Sequence, residues 1–165
     1  MKLIKLTALS SLLFAFAFSI TSCEKNAEKK KTTDFEKKDI VLSGAQETPA
    51  VPSTALGTMD VFYTKETRIL TYTVRWSGLT GSVAAMHIHG LAPTGFIAPV
   101  IQTFTLTSIV RCATISNTTC GTYTGTLLVD GVVIKEEDLL SGSYYVNIHT
   151  ATYLGGEIRG QIRFQ

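Results

Sequence analysis

The sequence is poor in charge and lacks the motifs of nucleotide binding and of serine-based catalysis. Charged residues make up 17% of the 165 positions and hydrophobic residues 45%, so a packed core is feasible. No P-loop, dinucleotide fingerprint or strand–helix–strand pattern occurs, which leaves nucleotide chemistry without support. A Gly-x-Ser-x-Gly nucleophile elbow is also missing. We therefore expect no catalytic residues and a protein that is not an enzyme.

The net charge is zero once the N-terminal leader is set aside. The chain has 15 basic and 13 acidic residues; removing Lys2 and Lys5 with the leader leaves 13 of each. A neutral domain has no overall electrostatic attraction for a phosphate backbone. Nucleic acid is therefore not expected as a partner.

Residues 1–22 have the organisation of a lipoprotein signal peptide. Lys2 and Lys5 provide a positive start, and residues 8–20 form an apolar run that is shorter than the roughly 20 residues of a membrane span. Two small polar residues then precede Cys23, an order similar to the bacterial lipobox, whose cysteine is lipidated. The alternatives are an ordinary cleaved signal and an uncleaved anchor. We expect a lipid anchor on Cys23, with membrane lipid as a partner, on the periplasmic or outer face of a bacterial membrane.

Residues 23–38 are mostly charged and contain one aromatic side chain. Such a segment cannot bury enough apolar surface to offset the entropy of ordering it. It is therefore predicted to be a flexible tether, and residues 39–165 to be the folded domain.

Two cysteines remain if Cys23 carries lipid. Cys112 and Cys120 are eight residues apart, and in an exported protein such a pair predicts a disulfide that closes a short loop. Two free thiols are the alternative. The pair cannot form a structural zinc site without histidine partners.

From residue 39 onward, short segments with alternating apolar and polar residues are separated by Gly, Pro, Ser and Thr clusters. This pattern predicts an all-β fold, an antiparallel β-sandwich or small barrel of about 7–9 strands. Strands are predicted at 40–42, 57–63, 69–76, 83–89, 100–106, 123–129, 144–149 and 157–164, with a helical turn at 135–140.

The three histidines lie at or near predicted strand ends. Met86 and Ile88 are apolar and should face the core, which places His87 and His89 on the opposite face. The same alternation places His149 away from the core on a later strand. If the strands are neighbours, three imidazoles share an outer face that we expect to be exposed to water, and they can bind zinc or copper.

A polar cluster is expected beside the imidazoles, because alternation places Asn147, Glu157 and Arg159 on the same face and Thr150 lies at the strand end. Its members are Asn147, Thr150, Glu157 and Arg159. The alternative to a metal site is a clasp in which these groups and the imidazoles hydrogen-bond one another and nearby loops.

Three motifs are similar to those of the CHRD (chordin-type) domain family. They are the stretch from Leu42 to Val51, the AAMHIHG motif at 84–90, and SGSYYVNIHTATYLGGEIRGQI at 141–162. The resemblance implies an all-β extracellular domain, found also in exported bacterial proteins, with no established catalytic activity. In animals the full-length members bind growth-factor ligands, largely through other domains.

These observations favour a membrane-tethered, non-catalytic binding or structural module of the cell envelope, with an unidentified envelope or extracellular ligand. A metal-binding protein that uses His87, His89 and His149 is the first alternative. A copper redox enzyme is the second; HIHG is similar to the His-x-His strand of copper/zinc superoxide dismutases, but the rest of that ligand set is missing.

Overall fold

The alternating segments form nine β-strands in a computed structural model that describes residues 33–113 and 119–165. Their bounds are β1 Asp34–Ser43, β2 Leu56–Thr64, β3 Ile69–Ser77, β4 Val83–Gly90, β5 Val100–Thr103, β6 Val110–Arg111, β7 Gly121–Leu128, β8 Tyr144–Thr150 and β9 Ile158–Gln161. One α-helix, α1, spans Glu136–Leu140, and short 3-10 helices occupy Gly44–Gln46 and Leu106–Ser108.

All nine strands belong to one antiparallel sheet with the order β5-β4-β8-β9-β1-β2-β3-β7-β6. The sheet is curled into a half-barrel. The all-β, antiparallel prediction is therefore confirmed, and the strand count lies within the predicted range. A single curled sheet replaces the two stacked layers of a sandwich, so the architecture is closer to the barrel alternative.

The core lies on the concave face of the sheet, where the alternating apolar residues point. On β3, Leu70, Tyr72 and Val74 are at most 1% exposed, whereas the residues between them are partly or fully exposed. On β4, Met86 and Ile88 are fully buried in the same core. The period of two in the sequence therefore identified the core-facing side of these strands.

Side chains rather than backbone pairing connect the two ends of the curled sheet. Gln102 on β5 accepts a hydrogen bond from the Tyr72 hydroxyl at 2.9 Å and donates one to the Thr126 carbonyl of β7 at 2.9 Å. Tyr72 also stacks on Phe104, with ring centroids 5.1 Å apart. Gln102 thus holds β5 against β3 and β7 across the opening of the half-barrel.

The N-terminal boundary of the domain differs from the sequence prediction. β1 begins at Asp34 and pairs with β2 from its first residue, so the end predicted for the tether, residue 38, is wrong. Phe35 explains the difference, because its ring packs on Tyr63 and Phe164 at centroid distances of 6.1 and 6.0 Å. One aromatic side chain and a strand partner are sufficient to order this charged segment.

The predicted disulfide between Cys112 and Cys120 is confirmed. The predicted signal peptide at 1–22, the lipidation site Cys23 and the first part of the tether lie outside the described residues. Within 33–113 and 119–165, no helix combines the length and the apolar character needed to cross a bilayer.

Replacing Gln102 with Met should destabilise the half-barrel. The substitution keeps the side-chain volume but removes the hydrogen bonds of Gln102 to the buried Tyr72 hydroxyl and to the Thr126 carbonyl, which should cost about 1–3 kcal/mol. Urea unfolding followed by tryptophan fluorescence measures the change. Gln165→Met, at an exposed terminal position, is the control and should leave stability unchanged. Equal stability of Gln102→Met and the wild type would show that Gln102 does not hold the sheet ends together.

Candidate metal centre

Adjacent strands bring the three histidines together. His87 and His89 lie on β4 and His149 on β8, and the two strands pair with His87 opposite Asn147. One ring nitrogen of each histidine lies within 4.8 Å of the others. His87 Nδ1 and His149 Nε2 are 3.0 Å apart, close to the roughly 3.4 Å between ligands of a tetrahedral zinc centre with bonds of about 2.0–2.1 Å. Small ring rotations would therefore place all three around one ion.

The histidine cluster is mostly buried, which corrects the sequence prediction of a surface site. His89 and His149 are only 8% and 9% exposed, and His87 is half-buried. The loops at 91–99 and 151–157 contact this outer face of β4, β8 and β9. The alternation correctly predicted which face the imidazoles share, but it could not show that loops cover that face.

Loop carbonyls determine the tautomers of two imidazoles. His89 Nδ1 is 2.9 Å from the Ala98 carbonyl oxygen, and His149 Nδ1 is 2.9 Å from that of Leu154. A carbonyl oxygen can only accept, so each Nδ1 must carry hydrogen and donate. In the neutral form of each ring Nε2 then carries a lone pair, and that of His149 lies 3.0 Å from His87 Nδ1. Metal-binding histidines are commonly held in this way by a carbonyl on the second nitrogen.

Burial keeps His87 and His149 unprotonated. It lowers the pKa of His87 to about 4, and the neighbouring His149 and His89 add to the shift through like-charge repulsion. Burial also lowers the pKa of His149. At neutral pH these two rings are therefore neutral, the form in which imidazole binds metal ions.

Asn147 brings an oxygen to the same point. Its Oδ1 lies 3.0 Å from His89 Nε2 and 2.9 Å from His149 Nε2. An amide oxygen has no hydrogen to donate, and an Nε2 has none either when its ring is neutral and the proton is on Nδ1. Acceptors therefore face acceptors at hydrogen-bond distance, and a cation at their centre would satisfy all of them.

Glu47 lies behind Asn147, on the side away from the imidazoles. The Asn147 amide donates toward its carboxyl group, and both groups crowd the same point beside Gly156. Glu47 is 8% exposed, and burial raises its pKa to about 7 against the opposing effects of Arg159, the Thr48 backbone and Asn147. Sequence reasoning assigned no role to Glu47, because a carboxylate in a proline-flanked loop cannot be told from a solvated one by local pattern.

The rest of the predicted polar cluster is buried but lies in two separate networks. Thr150 and Glu157 belong to one, in which the Glu157 carboxylate accepts hydrogen bonds from Thr150, Thr80 and Ser53 at 2.7–2.9 Å. It thereby connects the strand end to two loops, and it contacts neither Arg159 nor a histidine through these bonds.

Arg159 belongs to the second network. Its guanidinium stacks on the Tyr145 ring at 3.4 Å from the centroid and donates to the Phe96 carbonyl at 2.9 Å. His89 also stacks on the Tyr145 ring, with ring planes 4° apart. The strand that carries Tyr145, β8, lies between the strands of His89 and Arg159. Tyr145 therefore separates the charged guanidinium from the imidazole.

Comparison with family models gives a match to the CHRD domain over residues 39–162. The chain belongs to the CHRD domain family. The three histidines, Asn147 and Glu47 all lie within the match, so the candidate centre is part of the CHRD domain itself. No curated protein and no solved structure gave a significant match to the chain.

Glu157→Gln should destabilise the CHRD domain in a pH-dependent way. Burial acts to raise the pKa of Glu157, but the hydrogen bonds from Thr150, Ser53 and Thr80 outweigh it and hold the pKa below its usual range. Removing the charge should cost about 2–3 kcal/mol at pH 7. A lowered folded-state pKa stabilises above the unfolded pKa of about 4.3, and this contribution disappears as the pH falls through the folded value.

The free energy of unfolding of the wild type and of Glu157→Gln should therefore converge as the pH falls through the folded pKa of Glu157. Urea titrations between pH 3 and pH 7 measure the difference. Exposed Glu137 offers a matched control, since Glu137→Gln should change stability by less than about 0.5 kcal/mol. A difference that stays constant across this pH range would rule out the stabilising role of the Glu157 charge.

Proposed function

We propose that this CHRD domain is a non-catalytic module that binds one zinc or copper(II) ion through His87, His89 and His149. One observation carries the proposal: imidazole nitrogens converge on a largely buried point that they share with an acceptor oxygen. Such a point is unfavourable for the metal-free protein and favourable for a cation.

The ligand types indicate the class of metal. Imidazole nitrogens suit zinc, copper and nickel, whereas magnesium and calcium take oxygen ligands. Four-coordinate zinc is the simplest occupant, because three histidines and one further ligand complete its tetrahedral shell. Copper(II) has the higher affinity for a nitrogen site of a given geometry, so it is the competitor.

Burial favours a binding role over catalysis. The imidazoles lie under loop backbone, and the half-buried His87 is the most exposed of the three. A copper redox enzyme needs a substrate to reach the ion, and the loop carbonyls that orient His89 and His149 cover that approach. We therefore propose metal binding without catalysis, and the alternative is a metal-free clasp held by hydrogen bonds.

The wild-type protein, purified without a histidine tag, should bind one equivalent of zinc. At a free metal concentration of 100 times Kd, binding stabilises the fold by about 2.7 kcal/mol. His87→Ala and His89→Gln should each lose this thermal shift and most of the zinc affinity, measured by competition with a chromophoric chelator. His87 is half-buried, so its replacement is the less disruptive of the two.

Tyr63→Phe is the control for that experiment. It removes a hydroxyl that bonds Glu136 at 2.7 Å, at a buried position outside the histidine cluster. It should lower stability without changing zinc affinity. The absence of bound metal and of a thermal shift with either zinc or copper in the wild type would refute the proposed function in favour of the clasp.

We also propose that the protein is held at the bacterial cell envelope by lipid on Cys23. The lipobox-like order of residues before Cys23 and the short apolar run support the proposal. Membrane lipid is then one partner, and the CHRD domain faces the periplasm or the exterior. The disulfide between Cys112 and Cys120 is consistent with such an oxidising compartment.

Cys23→Ser should abolish lipidation and release the protein from membranes. The wild type should incorporate labelled palmitate and partition into detergent, whereas the variant should do neither. Cys112→Ser is the control, because it removes a different cysteine and should leave the label in place. Palmitate incorporation that persists in Cys23→Ser would show that this residue is not the lipidation site.

A further inference from the structure

The geometry points to a further ligand and to the group that orients it. We propose that Asn147 Oδ1 is the fourth, oxygen ligand of the ion, and that Glu47 is a positioning residue that turns this oxygen toward the histidines. The inference rests on the proposed metal-binding function. It adds the full ligand set, three nitrogens and one oxygen, and the choice of metal ion that follows from that set.

The Asn147 side chain lies between the imidazoles and Glu47. It is 2% exposed, and its Oδ1 lies within 3.0 Å of both His89 Nε2 and His149 Nε2. Its Nδ2 points the other way: a Cβ atom added to Gly156 would lie 2.8 Å from Nδ2 and would also collide with Glu47 Oε1. Glycine at 156 therefore lets the carboxyl group approach the amide nitrogen.

The orientation of the amide decides whether a cation fits. With the amide reversed, its two N–H groups would donate to the two Nε2 lone pairs, and a metal-free cluster would be satisfied. In the observed orientation the N–H groups face an acceptor, Glu47, and the oxygen faces the ring nitrogens. Glu47 thus opposes the reversed state and keeps the centre open to an ion.

One carboxylate oxygen of Glu47 can still accept a hydrogen bond. Its Oε1 is buried and makes no hydrogen bond within the described residues. An ion that draws Asn147 Oδ1 toward itself would turn Nδ2 toward Glu47 Oε1. The same motion would complete the ligand set of the ion and give Oε1 a hydrogen-bond donor. The carboxylate would also offset part of the ion's charge, since the four ligands themselves are neutral. Buried polar atoms without a partner are rare, and the ligand-bound state would give this one a donor.

An oxygen in the ligand set affects metal choice. Copper(I) favours soft thiolate and thioether ligands, whereas zinc and copper(II) accept imidazole together with oxygen. The site should therefore prefer a divalent ion to copper(I). Cobalt(II) is a useful probe, because its visible absorption reports the number and type of ligands when it replaces zinc.

Three variants of the full-length protein test the inference. Glu47→Gln removes the charge and the orienting preference, and it should weaken zinc binding about 10–100-fold, the usual effect of losing an outer partner of a metal ligand. Asn147→Leu removes the oxygen and should weaken binding at least as much, with a shifted cobalt(II) spectrum. Asn147→Asp keeps an oxygen ligand, and its cobalt(II) spectrum should be closer to that of the wild type than the spectrum of Asn147→Leu.

Glu157→Gln is the matched control, since it neutralises another buried carboxylate whose partners lie outside the centre. It should lower stability and leave zinc affinity and the cobalt(II) spectrum unchanged. Circular dichroism confirms folding of each variant, and Glu47→Gln is decisive by itself should Asn147→Leu fail to fold.

The two proposals fail in different ways. A wild type that binds no zinc overturns the proposed function and this inference with it. A wild type that binds zinc while Glu47→Gln binds equally tightly, with an unchanged cobalt(II) spectrum, overturns only the inference and leaves the three-histidine site.

Discussion

The structure depends on hydrogen bonds between the outer polar side chains of β4, β8 and β9 and the backbone carbonyls of the loops that cover them. His89 bonds Ala98, Arg159 bonds Phe96, and Gln161 bonds both Ala92 and Gly142. Loop backbone that is buried without partners costs free energy, so a loop that covers a sheet needs partners for its polar backbone groups. The polar row on these strands therefore makes a second, hydrophilic core possible on the outside of the half-barrel.

The chemistry of the histidine centre follows from the same bonds. A carbonyl on Nδ1 commits that nitrogen of His89 and of His149 to donating, and it thereby exposes the Nε2 lone pairs to one another. Burial under the loops then removes the water that would otherwise solvate those lone pairs. The bonds that stabilise the loops thus also orient the three-histidine group that could hold a metal ion. Structure and binding are not competing explanations for these residues.

Alternation in the sequence predicted the fold well because the period of two is a direct consequence of strand geometry. It placed Met86 and Ile88 in the core and all three histidines on one face, as the structure has them. It could not distinguish a face covered by loops from a solvated face, because polar residues occupy both. Glu47 and the ordered start of β1 were missed for a related reason: each depends on contacts with residues distant in the sequence.

The clasp and the metal site can be compared by asking which Asn147 orientation each requires. A metal-free clasp is most stable when the Asn147 N–H groups face the imidazoles, since each Nε2 lone pair then has a hydrogen-bond donor. A metal site requires the opposite orientation, with the oxygen inward and an acceptor behind the nitrogen. Glu47 is such an acceptor, and its own burial is costly enough to raise its pKa to about 7. A buried carboxylate that works against the clasp is difficult to explain as part of one. It is readily explained as part of a centre that holds a positive ion.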